Sequence, residues 1–361
     1  MTKYLLLLVF MGSSLFFFQN SAFAQGNNNL QDTVKVLTSK DKQIAEKEYN
    51  QGVIMLQSNK YDAAISFFDK ALKVKVKFPE AFYNRASAKF SKKDYLGAIQ
   101  DYNSAIVLNS NAKYYLARGI ARYKYNELSG SKEDLVKAIA LNSSKTRTDA
   151  YYYYGCVLFV EKNYSEAISY YTKAIKSDDK YVYAYHDRGS SNRMLGKYQL
   201  ALIDYRKAIQ LDPNLAIAFN NIASVKKLMK DYQGAITDYS SAISVDTVNA
   251  LAYNNRGTVY KELDEYDKAI SDFDKAISIN SKYAVAYGNR ANVKFEQKKY
   301  QEAVKDYNKA IELDGKYGIA FLNRGICKEM LRDDKGACED WNKADALGVS
   351  AAGNYLNAQC K

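Results

Sequence analysis

Residues 252–277 read AYNNRGTVYKELDEYDKAISDFDKAI, and within them Arg256 and Asp272 stand sixteen positions apart. A guanidinium and a carboxylate at such a spacing can close a bidentate ion pair, the kind of arrangement that also builds anion sites. The spacing recurs at Arg85/Asp101, Arg118/Asp134, Arg188/Asp204, Arg290/Asp306 and Arg324/Asp340. One reaction centre would not need six equivalents, so the repetition points to structure. Where the Asp is absent, at Phe67 and Tyr170, the Arg is absent too, with Gln51 and Tyr154 in its place. The one mismatch sets Ile222 against Asp238, and Lys226 lies one helical turn further on, within reach of the same face. These residues are expected to form partly buried ion pairs between two helices.

Other reactive groups are sparse. The single His, His186, stands beside Asp187, but no nucleophile with a second orienting group surrounds it, and it reads as an exposed side chain. No phosphate-cradling Gly-rich loop, His-rich metal motif or C-x-x-C occurs. The chain is therefore expected to be no enzyme and to hold no metal or cofactor. Four thiols remain: Cys156, Cys327, Cys338 and Cys360. Cys338–Cys360 is the favoured disulfide and Cys327–Cys338 the alternative, since connectivity is not readable from sequence. Cys156 reads as a free, small helical core residue.

The elements that carry these residues follow from composition and period. Only two Pro in 361 residues, without β-branched runs, argue for helix throughout. Gly257, Ala269, Phe273 and Ala276 recur at a 34-residue period as Ala223/Ala235/Tyr239/Ala242 and Ala291/Ala303/Tyr307/Ala310. The signature continues along the chain, with one degraded copy at Gly119/Ser131/Leu135/Ala138 followed by a longer connection from Leu141 to Asp149. Small residues let two antiparallel helices approach closely, and the aromatic fills the groove against the next pair.

This period and pattern resemble the tetratricopeptide repeat family. The resemblance implies an all-α, right-handed superhelix of antiparallel helix pairs, an α-solenoid. Nine repeats are expected, at about 45–78, 79–111, 112–147, 148–181, 182–215, 216–249, 250–283, 284–317 and 318–350. A capping helix is expected over 351–361 and a flexible leader over 25–44. Residues 1–24 read as a secretory signal peptide: a basic start at Lys3, an apolar run, then Ala22-Phe23-Ala24 before Gln25. The alternative is an uncleaved anchor. No later run is apolar enough to span a bilayer, so the mature chain is expected to be periplasmic or extracellular. The formal net charge of +12 permits weak attraction to polyanions without naming one.

The family lines its concave face with the first helix of each pair, mainly at positions 2, 5, 6, 9, 12 and 13, counted so that Gly257 is position 8. Position 6 carries Asn50, Asn84, Asn221, Asn255, Asn289 and Asn323, an amide ladder suited to an extended peptide backbone. The alternative is a helix-surface amide without a ligand. Position 12 carries Arg193, Lys227 and Lys261 in consecutive repeats, and Phe90, Tyr123, Phe159 and Phe295 elsewhere. Such a groove suits an acidic or aromatic-bearing segment. The family's carboxylate clamp for chaperone tails needs a position-5 Lys, which is absent here. The reading is a binding scaffold for a protein or peptide, with no nucleic acid expected. The rival is a basic exterior that binds envelope glycans or lipids, and open solenoid ends leave self-association as a third course.

Overall fold

The computed structural model describes residues 37–141 and 144–360, and these contain nineteen α-helices and no strand. The expected signal peptide and most of the expected leader lie outside the described residues. Helix α1 (Ser39–Gln57) packs on α2 (Tyr61–Val74), α3 (Pro79–Ser91) on α4 (Tyr95–Leu108), and α5 (Ala112–Lys124) on α6 (Leu128–Ala140). The same hairpin joins α7 (Ser144–Val160) to α8 (Tyr164–Ser177), α9 (Val182–Met194) to α10 (Tyr198–Leu211), and α11 (Ala216–Leu228) to α12 (Tyr232–Val245). It continues through α13 (Ala250–Glu262) and α14 (Tyr266–Ile279), α15 (Ala284–Glu296) and α16 (Tyr300–Leu313), and α17 (Gly318–Met330) and α18 (Asp334–Ala346). Helix α19 (Ala352–Gln359) closes the described chain. No described helix is long and apolar enough to cross a membrane.

Two local expectations about element boundaries need correction. The leader expected to reach residue 44 ends earlier, because Thr38 caps α1 through a reciprocal pair of hydrogen bonds with Asp41. The connection expected from Leu141 to Asp149 is mostly helix, since α7 already starts at Ser144. The helix thus starts one turn before Thr148, the residue equivalent to Ala250 at the start of α13.

The hairpins share one construction. A residue with left-handed backbone ends each first helix: Asn59, Lys93, Asn126, Lys162, Gly196, Lys230, Asp264, Lys298 and Arg332. Asp94, Asp231 and Asp333 then accept a backbone hydrogen bond to cap α4, α12 and α18. The signature Ala and aromatic residues are buried, as are Ser131 and Leu135 that replace them in α6, with Trp341, Tyr171, Tyr205, Tyr239, Tyr307, Phe68 and Phe273 the largest fully enclosed side chains. A Cβ on Gly257 would lie 2.9 Å from the Phe273 ring, so α13 and α14 meet almost backbone to side chain. Truncating such an aromatic to Ala typically costs about 3–5 kcal/mol.

The Arg/Asp pairs sit between the two helices of each hairpin. Arg256 donates from Nε and Nη2 to the two oxygens of Asp272 at 2.8 and 2.7 Å, and Arg85/Asp101, Arg118/Asp134, Arg188/Asp204, Arg290/Asp306 and Arg324/Asp340 repeat this geometry. The Asp272 carboxylate raises the Arg256 pKa, outweighing burial. Lys226 reaches Asp238 at 2.6 Å, and Tyr154 stacks on Tyr170 at 4.2 Å between ring centroids.

The pairs are partly buried, as the sequence reading expects, and their two partners lie at different depths. Asp101, Asp204, Asp272, Asp306 and Asp340 are buried, each only 3–6% exposed. Asp134 is buried as well. Only the Arg side of each pair keeps some contact with solvent. The reason is a second group that closes over the carboxylate from one helical turn beyond the Arg. Lys89 covers buried Asp101 at 2.8 Å, and Lys294 and Lys328 cover buried Asp306 and Asp340 at 2.9 Å each. The Asn192 amide takes that place over buried Asp204 at 3.2 Å, and Tyr260, at the same position of α13, lies against the Arg256 guanidinium. A buried carboxylate persists only when its oxygens are paired in this way.

The third guanidinium nitrogen does something the sequence reading missed. Nη1 of Arg85, Arg118, Arg188, Arg256, Arg290 and Arg324 donates to Asp69, Asn103, Thr172, Ser240, Asp274 and Asn308, each on the second helix of the preceding hairpin. Each Arg therefore ties its own hairpin and also the one before it. A signal for this exists in the sequence. Where the following hairpin lacks the Arg, at Tyr154 and Ile222, the residue in the acceptor position is Val136 or Arg206, neither of which can accept.

At the C-terminal end, Cys338 on α18 and Cys360 after α19 form a disulfide, and Tyr355 stacks on Trp341. Cys156 and Cys327 are free and buried.

Candidate functional site: the face of the first helices

Helical geometry sets positions 2, 6, 9 and 13 of each first helix on one side, with 5 and 12 beside them. Position 6 is where adjacent hairpins touch. Asn255 Nδ2 donates to Asn220 Oδ1 at 3.2 Å and Asn289 Nδ2 to Asn254 Oδ1 at 2.9 Å. Asn84 Nδ2 donates to the Tyr49 hydroxyl at 2.9 Å, and Asn221 Nδ2 lies 2.9 Å from His186 Nε2. Each amide thus bonds to position 5 of the preceding hairpin, thirty-five residues earlier. Position 5 before Asn323 is Gly288, which has no side chain, and Asn323 reaches Asn292 instead at 3.0 Å. Asn50, in the first hairpin, is exposed. The ladder is thus not wholly open to a ligand. One N–H of each of the five later amides is engaged, which fixes the amide and leaves it a second N–H.

His186 corrects the sequence reading. It is buried rather than exposed, since position 5 is an inter-hairpin contact. Its Nδ1 lies 2.7 Å from Asp187, which replaces the ladder Asn and also accepts from the Tyr152 hydroxyl at 2.8 Å. Cys156 lies among Tyr152, Tyr153 and Tyr171, and burial, then the Asp187 charge, push its thiol up to about 12.

The position-12 residues divide into two kinds. Phe90, Phe159 and Phe295 are half-buried and pack against Tyr95, Tyr164 and Tyr300 of their own hairpins, so these aromatics are occupied internally. Lys227 donates to Thr258 Oγ1 of the next hairpin at 2.7 Å, and burial lowers its pKa. Nε of Arg193 is buried with no hydrogen-bond partner. Among the described residues neither Arg193 nor Lys227 has a carboxylate within ion-pair distance, and Lys261 has only Glu262, at 3.9 Å.

Position 2, a lining position of the family, divides the chain in a way that the repeat signature does not show. It is charged in the first four hairpins, as Glu46, Glu80, Lys113 and Asp149. In the next five it is Tyr183, Ile217, Leu251, Val285 and Ile319, between 38% and 57% exposed. A helical turn separates this apolar row from the amide row, so α11, α13, α15 and α17 each present both side by side.

Residues 20–220, more than half of the chain, match the family model described as ETO1 C-terminal domain, and residues 250–283 and 284–317 each match the tetratricopeptide repeat model. RNA polymerase II-associated protein 3 of Xenopus tropicalis is 39% identical over 103 residues, 28% of this chain and 15% of that protein. The chain spans less than a fifth of the length of the first curated relatives it matches. A tetratricopeptide repeat protein structure from Parabacteroides merdae superposes with a TM-score of 0.56 at 19% identity, over 69% of this chain and 99% of that one. PilF of Pseudomonas aeruginosa gives 0.53 at 20% identity, over 60% and 99%. Both likenesses concern the fold alone. The chain belongs to the ETO1 C-terminal domain family over residues 20–220 and carries tetratricopeptide repeats in an all-α solenoid.

Proposed function

We propose that the chain is an exported, non-enzymatic scaffold that binds an extended polypeptide segment along the face of its first helices. Tetratricopeptide repeats support a protein-interaction role in general. The observation that carries the finer reading is the row of half-buried amides, Asn221, Asn255, Asn289 and Asn323, locked hairpin to hairpin with polar capacity left over. Fixed amides lose little freedom when they bond a peptide backbone, which favours binding. The apolar row beside them gives side chains somewhere to pack.

Two measurements test this. A photo-crosslinker at Val285 should capture a polypeptide at high salt, and the captured residues should form one contiguous segment. The same probe at the exposed Lys305 on α16 should not capture that segment. Equal capture from both positions, or capture only of glycans or lipids at low salt, moves the function to the basic exterior. Export is tested by sequencing the N-terminus of the protein recovered outside the cytoplasm. A start at Gln25 supports it, and retention of residues 1–24 in a cytoplasmic chain refutes it.

A further inference from the structure

The first-helix face is not one surface. Resting on the reading above, we infer that only hairpins α9/α10 to α17/α18 form the polypeptide site. We further infer that its ligand carries an apolar side chain at every third residue and carboxylates at one end only.

The apolar period follows from geometry. Tyr183, Ile217, Leu251, Val285 and Ile319 project once per hairpin, and the side-chain hydrogen bonds between α11, α13 and α15 make these helices direct neighbours. Packed helices lie about 10 Å apart. An extended chain in the polyproline II form turns once every three residues over about 9 Å. One turn of ligand therefore matches one hairpin, and five apolar contacts require a segment of roughly thirteen residues. A flat β-strand, with side chains on one face every ~7 Å, is out of step by about 3 Å at the very next hairpin.

Charge sets the other requirement. Arg193 and Lys227 have no carboxylate partner among the described residues, and the buried Arg193 Nε makes no hydrogen bond. These cations belong to α9 and α11. Glu262 and Glu296 occupy position 13 of α13 and α15, which puts negative charge over the middle of the stripe. On α13 the Lys261 charge balances Glu262 at 3.9 Å. A ligand carboxylate is therefore attracted over the first two hairpins, gains nothing over the third and is repelled by Glu296 over the fourth. The first four hairpins offer no apolar partner at position 2, where Glu46, Glu80, Lys113 and Asp149 stand.

The test uses the full chain and labelled thirteen-residue peptides followed by fluorescence anisotropy. The first set has Leu at every third residue and two Glu at either the N- or the C-terminal end. One of these two orientations should bind at least tenfold more tightly than the other. Moving the Leu residues to every second position, at equal composition, should weaken the better peptide tenfold, as should replacing both Glu by Gln. These comparisons alter the peptide alone, so protein folding does not enter. Equal binding of the periodic and aperiodic peptides, or of the Glu and Gln forms, overturns the inference. If the Val285 probe has meanwhile captured a groove-bound segment, the proposed function stands without it. Self-association that disappears with Leu251→Glu would instead assign the stripe to a second copy of this chain and overturn the inference too.

Discussion

The first four hairpins and the last five share one skeleton and present two different faces. In both, small residues at the helix crossings and an enclosed aromatic or leucine at the centre hold the pair together. Along the face of the first helices the halves diverge. Charged side chains and the tyrosines at 49, 83, 152 and 153 dominate the first, while an apolar row, an amide row and unpaired cations dominate the second. The difference shows that the repeat signature fixes the scaffold and leaves positions 2, 6 and 12 free. Recognition therefore has to be read from these variable positions.

The largest effect should come from breaking what the halves share. Arg85→Leu in the first half and Arg256→Leu in the second should each cost about 3 kcal/mol, because each leaves a buried carboxylate, Asp101 or Asp272, without its main partner. Adding Asp272→Tyr to Arg256→Leu should restore most of that loss, since Tyr154 and Tyr170 already stack in the equivalent place. Urea denaturation of the three variants checks this, and a double variant no more stable than the single removes the pairing from the explanation. Cys338→Ser with Cys360→Ser comes next. Opening a loop of 22 residues should cost about 3 kcal/mol by loop entropy. Hydrogen exchange should place the loss in α18 and α19, and a loss spread over the first hairpins would show the solenoid to be one cooperative unit.

The amides sharpen the contrast at smaller scale. Asn255→Ala and Asn289→Ala should each cost about 1 kcal/mol, as inter-hairpin hydrogen bonds, whereas Asn50→Ala should leave thermal stability unchanged. Equal effects at all three positions would show that the inter-hairpin bonds contribute nothing measurable. The smallest change tests the turns. Gly196 already occupies the left-handed position that Lys230 holds in the next hairpin, so Lys230→Gly should gain at most about 1 kcal/mol.

Much of the scaffold was legible because each repeat comments on the others. The loss of Arg and Asp together at Gln51/Phe67 and Tyr154/Tyr170 pointed to a pair before any distance was known. The pairing and its partial burial were legible, and the unequal depth of the two partners was not. Asp101, Asp204, Asp306 and Asp340 are buried because a second side chain folds over each of them, and spacing alone does not show how far that cover extends. The acceptors that the Arg Nη1 groups reach in the preceding hairpin escaped notice, although Val136 and Arg206 mark the two gaps in that row. They share no residue type: Asp, Asn, Thr and Ser all serve, and only their capacity to accept unites them. The position-5 and position-6 contacts escaped for a related reason, since they lie thirty-five residues apart and fall outside a comparison made at thirty-four. His186 looked exposed because a single helix shows only its own neighbours, and the burial comes from the next hairpin. The early start of α7 was hidden because residues 144–147 precede position 1 and have no counterpart in the other repeats.

The division of the face is tested most directly by comparing Leu251→Glu with Glu80→Leu in the full chain. Both residues hold position 2, one in each half. Affinity for the periodic peptide should fall at least tenfold, about 1.4 kcal/mol, in the first variant and stay unchanged in the second. A fall in both variants, or in Glu80→Leu alone, would contradict the division of the face into two functional halves.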